Sequence, residues 1–585
     1  MHNRSNIFRN ITLSNAIITL ILILILAVII RIPNLPKTIA FDEYVQTKAV
    51  LNHNSLGLDK GTEMPPLTTW TRIFFASIFG ETAIVLKIVS LIFGIMTAIL
   101  VYLLASELYD KKVAIWSVLL LAISAWHVLG STSISFDGAF LTFYFTLVIY
   151  LYVKYIHTEK KLWLIAAGVA FGLAMLTKLN AILLIPILFI HSYIFRYRYI
   201  KRGALVFFRE FFTIGLFAIL VFSLFPIAAL LTDWSYFTVV TSHTSVFSNS
   251  SLNFLLLGIQ YLHAFIWIGP LYFGLYVLSL VRLWNNKDKN IKKKNKTDHG
   301  KNNENKKDYL MHIWVIVVFL FFTFGVQENF RPLERYFFVM FPAICILGAN
   351  VINDHLHDLK NAKKTLLIFL SIFLLFSVLI YALNLMHNDI LQFYPKTNFA
   401  NAVVSGNWMF LVPFTGDQGP IGVYVSFASI ALAFGVSMII IAIMLFKPGK
   451  RKSKSFSLIL FILFLAVALS FNMFMIQEQA FSLTNPNIDF SSKRVLAYAL
   501  SHDLKEPILI FRNYALQHYL ESRYSLLDRL DFHNENTFSL EDSLPSGGSM
   551  IFVDFPKMNE QSALWNQSHQ CKLLYKEESA YIVEC

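Results

Sequence analysis

A chain of 585 residues that is 56% hydrophobic, 15% aromatic and only 15% charged, with a mean hydropathy of +0.58, is not a soluble globular protein. Its 55 Phe and long apolar runs place it among polytopic helical membrane proteins. The net charge of +13 does not mark a nucleic-acid binder, because the basic residues gather between apolar runs: ten Lys and Arg fall between positions 282 and 307, and five between 447 and 454.

The chain begins MHNRSNIFRN and turns apolar from 11 to 30. That run is too long for a signal-peptide core and no small-residue cleavage site follows, so a retained first helix is expected. Thirteen membrane-spanning runs are predicted, near 14–32, 81–105, 112–130, 137–157, 162–178, 180–197, 204–231, 252–283, 309–326, 335–353, 363–386, 421–446 and 455–477. With Met1 in the cytoplasm, alternation puts KK at 111–112, KK at 160–161, RYRYIKR at 196–202, the 282–307 run, KNAKK at 360–364 and KPGKRKSK at 447–454 inside. A positive-inside bias held through every crossing supports this orientation, with the N-terminus cytoplasmic and the C-terminal region outside a plasma membrane.

The first outer loop, 33–80, is long enough for short helices lying on the membrane, with Leu51, Leu56 and Leu58 dipping inward. The Lys- and Asn-rich stretch 284–308 reads as a disordered cytoplasmic loop, with contact to anionic membrane lipids as a minor addition. After about 478, helix-like 493–501, 514–522 and 560–565 alternate with strand-like 507–511, 549–555 and 571–585. That order predicts a small extracytoplasmic α/β domain, 478–585, behind a transmembrane domain, 1–477. Of three cysteines, Cys345 reads as a packed side chain, and Cys571 and Cys585 are candidates for a disulfide.

Charged residues at the outer ends of the spans are the candidates for chemistry. Asp42, Glu43 and Glu63 lie in the first outer loop and Asp137 opens the fourth span. Lys178 closes the fifth, and Arg331, Glu334, Arg335 and Tyr336 precede the tenth. A sugar carried on a lipid phosphate calls for such a set: a carboxylate takes the acceptor hydroxyl's proton, and cations meet the charge growing on the departing phosphate. Each residue also has a plainer reading. Asp42 would cap a short surface helix with first turn 43–46, Asp137 would cap the fourth span, and Lys178 and Arg335 would snorkel to headgroups. Pro65 and Pro66 mark a helix boundary. His127, His243 and His263 show no metal-ligand spacing and read as structural.

The motifs FDEY at 41–44, EMPPL at 63–67, SFDGAFLTFYFTLVIYLY at 135–152, GLAMLTKLNAILLIP at 172–186 and ERYFFVMFPAICILGA at 334–349 resemble the family 39 glycosyltransferases of the GT-C superfamily. These include protein O-mannosyltransferases and lipid A aminoarabinose transferases. The thirteen spans and outer α/β domain resemble the aminoarabinose-transferase branch. The resemblance implies a GT-C fold and inverting transfer of one sugar from a polyprenyl- or dolichyl-phosphate donor to a protein, glycan or lipid acceptor. It makes Asp42 the general base, Glu43 its neighbour in the Asp-Glu pair, and Asp137 a second acid that orients the acceptor or helps hold a cation. Lys178, Arg335 and Tyr336 then face the donor phosphate, with Glu63 and Arg331 as further substrate contacts. No cofactor is required by this reading beyond, as an option, a divalent cation. One departure is Met64, where relatives carry His or Lys before the proline pair. Rival readings are a secondary transporter, a non-catalytic lipid-binding scaffold and an oligosaccharyltransferase working from a pyrophosphate-linked glycan.

Overall fold

The computed structural model describes residues 13–37, 39, 41–51, 53, 55–58, 65–194, 204–232, 268–284, 304–324, 334–356, 362–386, 389–390, 397–414, 423–446, 454–484, 488–502, 504–505, 508–511, 530–533, 548–553, 570–577 and 580–584. The protein is a polytopic helical membrane protein. Each of the thirteen apolar runs contains helix, and among the described residues eight helices are long and apolar enough to cross a membrane. In chain order the first are α1 (Leu13–Arg31), α2 (Phe41–Leu51), α3 (Leu67–Phe79), α4 (Ala83–Leu108), α5 (Lys111–Ala122), α6 (Ala125–Gly130), α7 (Leu141–Thr158), α8 (Lys161–Thr177), α9 (Leu184–Ser192), α10 (Ala204–Phe222) and α11 (Leu224–Leu230). Helices Ile268–Trp284, Glu304–Phe324, Phe341–Leu356, Ala362–Leu385, Phe427–Phe446 and Lys454–Phe481 follow.

The chain divides into two compact units. The first comprises Met1–Ile32, Ala49–Ile380 and Ile430–Ile476, and the second Pro33–Lys48, Tyr381–Ser429 and Gln477–Cys585. In the first unit the apolar side chains face outward as well as inward. Ile18, Leu22 and Ile29 of α1 and Leu367, Leu374 and Val378 of Ala362–Leu385 are all exposed. Apolar surface on this scale suits a hydrocarbon solvent and not water. Helix contacts rest on small residues, as they do where lipid removes the hydrophobic drive to associate. A Cβ on Gly168 would stand 2.8 Å from the Ile214 carbonyl oxygen, and one on Gly172 would stand 2.7 Å from that of Ala218. This pair, four residues apart, lets α8 and α10 meet backbone to backbone.

Polar contacts join helix ends in the sets that alternation requires. Glu107 at the end of α4 accepts from Lys154 at 2.5 Å and meets His157 Nδ1 at 2.8 Å, both near the end of α7. Tyr155 donates to Glu210 of α10 at 2.7 Å. Asp308 accepts from Tyr109 and, at 3.3 Å, from Asn350, while Arg282 pairs with Asp354 at 3.0 Å. All these ends fall on the side the charge count assigns to the cytoplasm. Asp110 accepts from the Lys112 and Val113 amides at 2.8 and 2.9 Å and caps α5.

Two expectations for the first outer loop divide. Leu58 is buried against Leu176, Phe225, Ala228 and Ala229, but Leu56 is exposed, its carbonyl accepting from Trp70 Nε1 at 2.9 Å. The turn between them needs Gly57, whose φ is +71° and whose missing Cβ leaves room for the Trp70 ring.

The second unit holds the C-terminal sheet: β4 (Ile508–Phe511), β5 (Leu530–His533), β6 (Ser549–Val553), β7 (Lys572–Glu577) and β8 (Ala580–Glu584), in the order β5-β4-β6-β8-β7. β4 pairs in parallel with β5 and β6, while β8 runs antiparallel to both β6 and β7. Helix Ile488–Ser501 packs on it, stacking Tyr498 on Tyr575 with centroids 4.4 Å apart. The helices expected at 514–522 and 560–565 lie outside the described residues. The same unit contains strands absent from the sequence reading, β1 (Asp389–Ile390), β2 (Phe410–Phe414) and β3 (Val423–Ser426), so the apolar run 421–446 begins as strand and is helical only from Phe427. Cys571 is disulfide-bonded and Cys345 is free and buried, while Cys585 lies outside the described residues.

Lys505 forms an ion pair with Glu584 of β8 and accepts, through its carbonyl, from the Ser549 amide of β6 at 3.0 Å. The hydrogen bond from Lys505 holds the Glu584 carboxyl below its ordinary value of 4.5. A depressed carboxylate contributes stability that is fully present above its unfolded value and is lost as pH falls through its folded one. Amide exchange of the 572–584 hairpin is therefore expected to quicken as pH falls below about 4.5, after correction for intrinsic rates. Glu584→Gln should remove that added acid sensitivity; an unchanged profile would show the pair to be idle.

Candidate active site at one end of the helical bundle

The residues expected to do chemistry depend on where glycines let three elements close up. α6 ends at Gly130, and five residues on the chain makes a π-helical turn, Phe136–Phe140, that leads into α7. A Cβ on Gly138 would stand 2.4 Å from the Gly130 carbonyl oxygen, and one on Gly130 would stand 1.9 Å from the Phe338 ring. Phe338 belongs to the 3-10 helix Glu334–Met340, which packs on both α6 and the π-turn. A Cβ on Gly94 of α4 would meet the Ser131 Cβ at 2.4 Å. The turn holding Asp137 and the 3-10 helix holding Glu334, Arg335 and Tyr336 are thereby neighbours. Asp137 is the second residue of the π-turn and the regular helix begins only at Leu141, which corrects the expectation of Asp137 as its N-cap. π-turns of this kind recur at functional sites.

Lys178 and Tyr336, paired only by inference in the sequence, meet in the structure. α8 stops at Thr177, Lys178 is extended at φ −160°, and its Nζ lies 4.7 Å from the centre of the Tyr336 ring. That ring stacks in turn on Phe322 at 4.9 Å. Lys178 is only 8% exposed, so it does not snorkel to solvent or headgroups. A desolvated cation over an aromatic face is stabilised by about 2 kcal/mol.

Two further cations escaped the sequence reading. Arg72 of α3 is 1% exposed and donates to the Ser135 carbonyl at 3.2 Å, with its guanidinium 5.2 Å from the Phe140 ring. Arg31, the last residue of α1, is also 1% exposed. It donates to Ser131 Oγ at 2.7 Å, to the Ala27 and Ala122 carbonyls at 2.7 and 3.1 Å, and to His127 Nδ1 at 2.8 Å. That bond fixes His127 Nδ1 as an acceptor, since arginine can only donate. The signal was present: a single charge in IIRIP and in WTRIFF, each within an otherwise apolar stretch, is the mark of an intramembrane ionisable residue.

In the second unit Asp42 and Glu43 occupy the first turn of α2, which begins at Phe41, so Asp42 stands inside the helix and does not cap it. Carboxylates are favoured there by the helix dipole. Glu43, Gln46 and Thr47 form a buried face, and Thr47 Oγ1 donates to the Glu43 carbonyl at 2.7 Å. The loop ahead of α2 is tied down within its own unit: Lys37 donates to the Gln479 carbonyl, and Lys493 to that of Pro36 at 2.6 Å. Glu63, Met64 and Arg331 lie outside the described residues. Among the described residues no group of three or more His, Cys, Asp or Glu is placed to hold a metal ion.

Residues 63–227, which include Asp137 and Lys178, match the family model described as dolichyl-phosphate-mannose-protein mannosyltransferase. An uncharacterized protein of Aquifex aeolicus (strain VF5) is 32% identical over 123 residues. That match covers 21% of this chain and 24% of that protein, about a quarter of the relative's length. Among solved structures, ArnT from Cupriavidus metallidurans in its apo state aligns with a TM-score of 0.55 at 14% identity over 96% of this chain and 97% of that one. The same protein bound to undecaprenyl phosphate gives a TM-score of 0.55 at 14% identity over 98% of each. At such identity the likeness is one of fold. What this chain shares with known proteins is thus a family pattern over 63–227 and the fold of ArnT along nearly the whole chain.

Proposed function

We propose that this protein is an integral membrane glycosyltransferase that moves one sugar from a polyprenyl- or dolichyl-phosphate carrier to a hydroxyl of a protein, glycan or lipid, on the extracytoplasmic side and with inversion. The observation that carries the reading is the family match over 63–227, because it contains both the Asp137 turn and Lys178. The shared fold with a protein solved with undecaprenyl phosphate makes that carrier class the first donor to test.

In the proposed reaction Asp42 takes the proton of the acceptor hydroxyl as its oxygen bonds to the anomeric carbon. The bond from that carbon to the phosphate oxygen breaks, and the lipid monophosphate leaves with the electron pair. A phosphate needs no proton to depart, so a second carboxylic acid is not required, unlike in glycoside hydrolysis. Lys178 on Tyr336, with Arg335 and Arg331, meets the growing phosphate charge. Glu43, Glu63 and Asp137 are assigned to acceptor and sugar orientation.

The reading is tested with purified protein in sealed proteoliposomes carrying radiolabelled mannosyl-phosphoryl-polyprenol, mixed with extracted native acceptors. Label moving from lipid to acceptor is expected; label crossing the bilayer without changing carrier would instead identify a transporter. Lys178→Gln is expected to lower kcat/KM for the donor at least about tenfold, the size of one lost charged hydrogen bond, with kcat falling because the lost contact meets charge that grows as the phosphate departs. An unchanged kcat/KM would remove Lys178 from the donor site.

A further inference from the structure

The turn that carries Asp137 has little of its own to hold it. It is five residues long, π-helical and kinked at Gly138, where ψ is −107°. π-Helical geometry does not persist unless its surroundings over-determine it. Here two arginines from other helices flank it. Arg72 bonds the carbonyl of Ser135, the residue before the turn, and lies over the ring of Phe140, its last residue; Phe140 is pinned from its side by Phe93, with centroids 4.0 Å apart. The same Nη2 approaches Ser90 Oγ of α4 at 3.5 Å. Arg31 fixes the preceding segment by bonding Ser131 and His127 at the end of α6. Arg31's bonds all go to uncharged acceptors, so its charge is not retained for an ion pair. Burying a cation in this way is costly, and an apolar residue would fill the same space at lower cost.

We infer that Arg72 and Arg31 are positioning residues for Asp137: they anchor the segment from Ser131 to Phe140, and neither touches substrate. Arg72 is the more direct of the two because it grips both ends of the π-turn. The inference rests on the assignment of Asp137 to the reaction proposed above. A planar guanidinium is suited to the task, since it can donate in its plane to a carbonyl while its face lies on an aromatic ring. Lysine at this position would keep the charge and lose the fork.

The test uses the full-length protein in nanodiscs, comparing wild type, Arg72→Gln, Arg72→Lys and Phe140→Leu. Amide exchange is followed over 131–140, and transfer is measured with radiolabelled mannosyl-phosphoryl-polyprenol. Arg72→Gln is expected to speed exchange in 131–140 while leaving the middle of α7 protected, and to lower kcat about 100-fold, as a misplacement of about 1 Å does. The donor KM should change by less than about threefold, because the lost contact is not with substrate. Arg72→Lys should restore part of kcat, and Asp137→Asn added to Arg72→Gln should cost nothing further. Should Arg72→Gln fail to accumulate, Phe140→Leu removes the ring beneath the guanidinium while keeping the core filled, and the same exchange change is expected. Unaltered exchange, a loss wholly in KM, or losses that multiply with Asp137→Asn would overturn the inference. If wild type transfers no label from any carrier, the transferase reading fails instead, and the exchange result alone decides whether Arg72 anchors the turn.

Discussion

Asp42→Asn is expected to lower kcat by about 10²- to 10⁴-fold, the range a positioned general base contributes, while donor affinity stays within about twofold. Asn keeps the size and hydrogen-bonding capacity of Asp but cannot accept the acceptor's proton at neutral pH. The helix around it should not suffer, because Asp42 lies in the first turn of α2 and not at its cap. The substitution forgoes only the favourable meeting of a carboxylate with the helix N-terminus, about 0.3–1 kcal/mol. Loss of transfer without loss of folding is therefore the expected outcome, measured by steady-state transfer and by donor-dependent thermal shift.

Gly138→Ala is the second large effect. The added Cβ would sit 2.4 Å from the Gly130 carbonyl oxygen, a backbone atom that cannot swing aside as a side chain would. Either the π-turn or the end of α6 must move, and overpacking of this kind costs about 1–3 kcal/mol of stability. The larger consequence is geometric. Asp137 adjoins Gly138 and the turn packs on the 3-10 helix of Tyr336, so relief of the clash shifts one against the other. A displacement of about 1 Å is expected to reduce transfer about 100-fold in protein that still folds. A melting temperature and turnover equal to wild type would show that the three elements are not closed as described.

The bundle was legible because membrane helices announce themselves: an apolar run of about 20 residues has few other uses. Each of the thirteen runs holds helix, and the ends carrying Glu107 and Lys154, and those carrying Arg282 and Asp354, meet as alternating spans require. What stayed hidden was mostly short or made by contact. β1 is two residues long and pairs with β2 some twenty residues on, a parallel register that no local alternation encodes. The Asp137 turn looked like an ordinary helix start because the reason for its shape, Gly138 against Gly130, is a tertiary contact. Lys178 and Tyr336 were each singled out, but 158 positions of sequence separate them and only packing stacks one on the other. Arg31 and Arg72 were visible as lone charges in apolar stretches, and their bonds to Ser131 and Ser135 explain why each tolerates burial. Asp42 stands on its motif and on its place in α2, and it precedes the matched segment 63–227.

The central claim is that label leaves a lipid phosphate through the action of Asp42. The most direct measurement is a single-turnover reaction of purified wild type and Asp42→Asn with radiolabelled mannosyl-phosphoryl-polyprenol and native membrane extract, following label on the lipid and on acceptor. The account predicts transfer with wild type and, with Asp42→Asn, donor bound but unconsumed. Equal transfer by both proteins would contradict the role given to Asp42, and transfer by neither, from any polyprenyl-phosphate sugar, would contradict the transferase itself.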